Sequence, residues 1–188
     1  MGRYRGYSDA LKARYGEKVY KVPVALPVTC PNRDGTLGSG GCIFCGSIGA
    51  DYETRAVGLS ITAQLERSIA HIGPKYKAKK FIAYFQNFTN TYAPPDRFRA
   101  WMEEAARHPD VVELDVSTRP DCIHEVYLEI LKEVSDRYGV GITVELGLQS
   151  SNPHTLKLLG RGHTAAEFID GALRIGRYGF GLCAHVIA

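Results

Sequence analysis

Long apolar runs are missing from this chain: none approaches the roughly 20 residues that a helix needs to cross a bilayer, so a helical membrane span is not expected. The segment Met1-Gly-Arg-Tyr-Arg-Gly-Tyr7 lacks the apolar centre of a secretory signal. Low-complexity tracts and linkers are also wanting, and no second domain can be delimited. Charge of one sign is scarcely in excess. The net charge of +3 is spread over the whole length, so composition alone gives no reason to expect nucleic acid. The one basic run, Lys75-Tyr-Lys-Ala-Lys-Lys80, reads as a solvated helix end rather than a phosphate patch. Five cysteines are an odd count for a secreted disulfide framework. Three of them fall between positions 30 and 45, which suits metal binding in a reducing compartment and a cytoplasmic protein. Cys122 and Cys183 sit beside apolar residues in expected regular elements, and both are predicted to be buried structural thiols.

What is present is a globular composition. With 188 residues, 45% hydrophobic and 23% charged, the chain can bury one ordinary core. An amphipathic lead-in, Ser8–Tyr15, precedes Lys18–Val28, whose β-branched residues and two prolines favour extended backbone. Ser60–Ile72 puts Ile61, Leu65, Ile69 and Ile72 on one helical face, and Gly73-Pro74 is expected to stop it. Strand and helix then alternate: Lys80–Gln86 extended, Pro94 to Ala105 helical, Val111–Thr118 extended. Cys122–Tyr138 is predicted helical, with Ile123, Val126, Ile130, Leu131 and Val134 inward, and Gly141–Gln149 extended. Thr164-Ala-Ala-Glu167 forms a capping box opening a helix through Ile175, and Phe180–Ile187 is a last strand. Consecutive βα units imply a parallel α/β sheet with right-handed crossovers. Five strands do not close an eight-stranded barrel, which leaves an open barrel or a doubly wound sheet. Either way the site is expected at the carboxyl ends of the strands. The chain stops within an apolar strand, so a fragment truncated before the last strand is expected.

Cys30, Cys42 and Cys45 form a C-x11-C-x2-C triplet in one glycine-rich loop. A closed structural zinc site takes four protein ligands, whereas a cluster or catalytic metal that binds a substrate keeps one position open. A zinc site completed by a nearby His or Asp stands as the alternative. A phosphate cradle is disfavoured, since the glycine spacing fits neither G-x-x-x-x-G-K nor G-x-G-x-x-G.

This loop, with the βα repeat, resembles the radical S-adenosylmethionine (SAM) superfamily, whose usual spacing is C-x3-C-x2-C. The longer first gap resembles the branch containing the elongator catalytic subunit, oxygen-independent coproporphyrinogen oxidase and uncharacterised bacterial relatives. Cys30-Pro-Asn-Arg-Asp-Gly35, Tyr84–Ala93, Ser117-Thr-Arg-Pro-Asp121 and Leu146-Gly-Leu-Gln-Ser150 look like recurrent phrases of those relatives. The resemblance covers nearly the whole chain. It implies an open, partial (βα)n TIM-like barrel, a core domain over residues 1–188 that is incomplete after its last strand, and an enzyme. It implies too that a reduced 4Fe-4S cluster cleaves SAM to a 5'-deoxyadenosyl radical, which takes hydrogen from a substrate.

Site roles follow from the same resemblance. Cys30, Cys42 and Cys45 would hold the cluster, and Phe44 would pack on the adenine. Gly38, Gly40 and Gly41 would turn backbone N–H groups toward sulfur. Gln86 and Asn87 would meet the methionine amine. Ser117 and Arg119, with Gln149 and Ser150, match positions that bind ribose hydroxyls and the methionine carboxylate, and Arg161 matches an arginine that reaches bound SAM. His163 reads as structural. Glu113, Asp115 and Glu145 lie in predicted strands, and alternation could turn Glu145 into the barrel. A reductant protein such as flavodoxin or ferredoxin is implied as partner. Nucleic acid is a conceivable substrate through the elongator resemblance, which the charge does not independently support. Competing readings are a non-catalytic metal module, a hydrolase or lyase with an incidental cysteine loop, and an inactive fragment.

Overall fold

The computed structural model describes residues 4, 6–46 and 58–187, so most of the stretch before Gly6 lies outside the described residues. Five strands form one sheet in sequence order: β1 (Val19–Val24), β2 (Lys80–Phe85), β3 (Val111–Thr118), β4 (Gly141–Gln149) and β5 (Gly181–Val186). Every neighbouring pair is parallel, the arrangement that βα crossovers produce. The result is an open, partial α/β barrel. Its helices are α1 (Tyr7–Tyr15), α2 (Ile61–Tyr76), α3 (Pro95–Ala106), α4 (Glu125–Tyr138), the short α5 (Pro153–Leu158) and α6 (Ala165–Arg177). None of the helices described is long and apolar enough to cross a membrane.

Alternation along each strand separates two faces. The helix-facing set includes Phe81, Ala83, Phe85, Leu114, Val116, Ile142, Val144 and Leu146, packed with Leu65, Phe98, Met102, Leu128, Leu131 and Ile175. Fully burying each of the larger side chains contributes about 2 kcal/mol. The opposite face is polar: Lys21, Tyr84, Glu113, Asp115, Ser117, Thr143 and Glu145 point into the barrel interior. Glu113, Asp115 and Glu145 are almost wholly buried there. Parallel strands covered on both faces are commonly apolar on both, so these buried acids mark the inner face as a working surface. Below them, Leu11 of α1 packs on Val19 and Ile82, and the Tyr15 hydroxyl donates to Glu113.

Several local expectations need correction. Helix α2 runs past Gly73-Pro74 to Tyr76, because a proline's φ is compatible with helix and its missing N–H removes one bond of the ladder. It ends instead at Lys77, left-handed at φ 52°, whose N–H bonds Gly73 C=O. Helix α4 starts at Glu125 rather than Cys122, since Pro120–Cys122 is a separate 3-10 turn. Val126 is consequently exposed on the far side from Leu131, and Tyr127 and Leu128 take the buried face. Cys122 is buried as expected, but Cys183 is exposed: β5 is an edge strand, paired with β4 alone among the described strands. The Thr164–Glu167 capping box is present in both directions at the start of α6.

Candidate functional site

The eleven residues between Cys30 and Cys42 fold back on themselves. Arg33 and Asp34 N–H groups bond Cys30 C=O, Leu37 and Gly38 bond Pro31 C=O, and Gly41 N–H closes the loop on Asn32 C=O at 2.8 Å. The stretch between Asn32 and Gly41 is thus closed on itself. Gly41 has φ +75°, and a Cβ there would meet the Arg33 guanidinium at 3.2 Å, so both backbone and space call for glycine. From Cys42 the chain turns tightly, with Cys45 N–H on Cys42 C=O at 2.9 Å.

Side chains surround the sulfurs. Asn32 Nδ2 and Arg161 Nη1 each donate to Cys42 Sγ at 3.3 Å, and Arg33 Nη2 donates to Cys45 Sγ at 3.3 Å. Among the described residues these side chains, rather than the loop glycines, make the hydrogen bonds to sulfur. The N–H groups of Gly38 and Gly41 are spent on Pro31 and Asn32 carbonyls. Donors of this kind stabilise thiolate charge and tune a bound metal group.

Arg161 fastens the loop to the sheet. Its Nη2 donates to Gly147 C=O at 3.0 Å and its Nε to His163 Nε2 at 3.1 Å. That contact makes Nε2 the acceptor and leaves the proton of a neutral His163 on Nδ1, facing Thr164 C=O. Burial, reinforced by the Arg161 charge, holds His163 below its ordinary pKa and so neutral. A Cβ at Gly147 would stand 2.7 Å from Arg161 Nη2 and 2.8 Å from Gln149 Nε2, so the guanidinium occupies space that only glycine leaves.

The three cysteines, Arg33, Gly147 and Arg161 border one cavity of about 340 Å³ at the carboxyl ends of the strands. Of the sequence-predicted residues, Cys30, Cys42, Cys45, Phe44, Gln86, Ser117, Arg119, Gln149 and Arg161 line it. Asn87 and Ser150 do not. The Asn87 amide is consumed by Leu26, accepting its N–H at 3.1 Å and donating to its C=O at 2.8 Å, which ties the exit of β2 to that of β1. The Ser150 hydroxyl accepts Asn152 N–H ahead of α5. Sequence reasoning assigned no site role to Arg33, Tyr84, Phe88, Thr89, Glu145 or His185, which also line the cavity. Arg33, Tyr84, Phe88 and Thr89 stand inside the phrases that carried the family resemblance, which was the available signal.

Three buried polar atoms on this wall have no hydrogen-bond partner: Gln86 Oε1, Thr89 Oγ1 and Arg119 Nη1. Leaving such atoms unmatched costs about 1–3 kcal/mol each, so the wall is built for a polar occupant. The other edge of the Arg119 guanidinium is held by Asp121 at 3.0 and 2.8 Å. Burial alone would lower the Arg119 pKa, but the Asp121 carboxylate outweighs it and keeps the charge.

The floor is an ionic ladder. Lys21 Nζ lies 2.5 Å from both Asp115 Oδ2 and Glu145 Oε1, and Glu145 Oε2 meets His185 Nε2 at 2.7 Å. Burial would raise Glu145, but the bonds from His185 and Lys21 bring it down to about 2. Asp115 is pushed up to about 7, mainly by burial, which Lys21 opposes and the flanking Glu113 and Glu145 carboxylates reinforce.

The family model described as the radical SAM superfamily matches residues 30–188, from the first cysteine of the loop onward. This chain belongs to the radical SAM superfamily. It is 36% identical over 186 residues to the uncharacterised protein YtqA of Bacillus subtilis, covering 98% of this chain and 57% of YtqA. It is 36% identical over 181 residues to the protein YhcC of Escherichia coli K12, again covering 57% of that relative. The chain thus spans somewhat over half the length of these relatives. Among solved structures it is similar to the cobalamin-dependent SAM radical enzyme OxsB with aqua-cobalamin and SAM bound. That likeness has a TM-score of 0.54 at 16% identity and covers 88% of this chain and 23% of OxsB, which speaks for the shared radical SAM fold.

Proposed function

We propose that this chain is the SAM-cleaving core of a radical enzyme of the long-spacing branch, with Cys30, Cys42 and Cys45 as ligands of a 4Fe-4S cluster. When bound, that cluster supplies the electron that cleaves SAM to a 5'-deoxyadenosyl radical, which takes a hydrogen atom from the substrate. The observation that carries the reading is the convergence of three thiols and three unpartnered polar atoms on a single cavity. The donor set fits the group. Three thiols on one cavity wall are the ligand number that leaves a cluster one position open.

Each remaining residue then has a task. Asn32, Arg33 and Arg161 donate to the thiolates and hold the loop against β4. Arg119 Nη1 suits the methionine carboxylate, and Gln86 Oε1 the ammonium. Ser117 and Gln149 border the same wall for ribose hydroxyls, and Phe44, half exposed beside the Arg161 guanidinium, offers a ring face to adenine. Asn87 and Ser150 serve the frame. The reductant is a flavodoxin or ferredoxin in a reducing cytoplasm.

Anaerobic reconstitution with iron and sulfide tests the metal, and 5'-deoxyadenosine release under reduction tests the chemistry. Wild type should take up about four irons per chain, as a 4Fe-4S cluster requires, and the Cys42→Ala, Cys45→Ala double variant should take up almost none. Equal iron in the two proteins would overturn the cluster assignment.

A further inference from the structure

Glu145 on β4 and Cys183 on β5 are register partners, and His185 follows Cys183 by two residues. Strand alternation therefore turns all three side chains onto the inner face of the sheet. Their ligand atoms lie within 4.8 Å of one another, and Glu145 and His185 reach the cavity wall. We propose that Glu145, Cys183 and His185 form a second metal site, for a mononuclear divalent transition ion of the zinc type.

The donor chemistry fits such an ion. One carboxylate, one thiolate and one imidazole are a ligand mix that zinc takes, and three protein ligands leave a fourth position open toward the cavity. The thiolate and imidazole select against magnesium and calcium, which prefer oxygen alone. Surrounding groups are arranged as outer partners of a metal-bound carboxylate. Lys21 Nζ holds Glu145 Oε1 at 2.5 Å, and Ser117 Oγ donates to Oε2 at 3.2 Å, so Oε2 is the oxygen aimed at the site. The 2.7 Å Glu145–His185 hydrogen bond runs between the two atoms that an ion would bridge, so the proton there stands in the ion's place.

Glu145 is 3% exposed and is held by Lys21 and His185, which fixes its carboxylate beside the other two donors. In this chain Cys183 is exposed and the His185 side chain is partly exposed. The inference does not rest on the cysteine-loop cluster, because it shares no ligand with it.

The test uses the full chain with Cys30, Cys42 and Cys45 replaced by serine, titrated with cobalt(II). One equivalent should bind with a thiolate-to-cobalt charge-transfer band in the near ultraviolet and intense visible bands of four-coordinate cobalt. Adding Cys183→Ser should abolish the charge-transfer band, His185→Gln and Glu145→Gln should each weaken binding by about tenfold or more, and Cys122→Ser should change nothing. Absence of the band in the folded triple-serine protein, or its survival in Cys183→Ser, would overturn the site. If the triple-serine protein does not fold, zinc and iron are counted in the reconstituted holoprotein instead. The Cys183→Ser, His185→Gln variant should then lose one zinc per chain with iron unchanged, and equal zinc in both proteins would overturn the site. Iron reports separately on the cluster, so either assignment can fail without the other.

Discussion

Arg161 Nη1 donates to Cys42 Sγ at 3.3 Å across 119 residues of sequence, and the same guanidinium holds Gly147 C=O and His163 Nε2. One side chain thus joins the cysteine loop, the end of β4 and the entry to α6. A lysine ammonium is a point charge and cannot span three acceptors in one plane. Arg161→Lys should therefore lower the stability of the metal-free chain by about 2 kcal/mol, roughly two hydrogen bonds' worth. Urea denaturation gives the answer, and an unchanged midpoint would remove Arg161 from this bracing role.

Gly41→Ala forces a Cβ into a left-handed conformation and against the Arg33 guanidinium. The conformational cost is about 1–2 kcal/mol. The variant should lose that much stability and bind clearly less iron on reconstitution, with the loop no longer closed on Asn32. Wild-type iron content would show that the loop's closure does not set the cysteine geometry.

The two cysteines outside the loop should differ in reactivity. Burial pushes the Cys122 thiol up to about 12, so it stays protonated at neutral pH; burial raises Cys183 as well, but its side chain is exposed on β5 and open to reagent. Alkylation of the metal-free chain at pH 8, followed by peptide mass spectrometry, should label Cys183 faster by a factor on the order of 100. Equal rates would contradict the burial of Cys122.

Asp115 predicts a pH signature. Its pKa is about 7 in the folded protein and near the ordinary carboxylate value in the unfolded one, so between the two the folded state binds the extra proton. Stability from this group is present below the unfolded pKa and is lost as pH rises toward about 7. Asp115→Asn removes that slope. Relative to wild type, the variant should gain stability steadily from pH 4 to pH 7, read from urea melts across that range. A difference independent of pH would show that Asp115 is ionised throughout.

Much of the architecture was legible in the sequence. Strands β3 and β4 have the expected ends, Val111–Thr118 and Gly141–Gln149, because their apolar residues alternate cleanly and glycine or a loop bounds them. The capping box marked the start of α6 for an equally local reason. What escaped depended on partners distant in sequence. Which of two adjacent polar residues meets the cavity could not be read where a strand ends: Gln149 is left-handed at φ 64°, so alternation lapses and Ser150 turns away. The donors to sulfur, Asn32 and Arg33, acquire that role only once the loop has closed. Cys183 looked like a core thiol because its neighbours are apolar, but exposure follows from its strand's place at the sheet edge.

The bond between Gly41 N–H and Asn32 C=O makes residues 34–40 a side loop that begins and ends at nearly one point. The path from Cys30 to Cys42 is shortened by that bond. Lengthening a flexible loop costs only about 0.6 kcal/mol per doubling, so residues added at the tip, outside the bonds of Leu37 and Gly38 to Pro31, leave the closing bond in place. The two residues that close the loop, rather than the count between the cysteines, carry the geometry that the metal would meet.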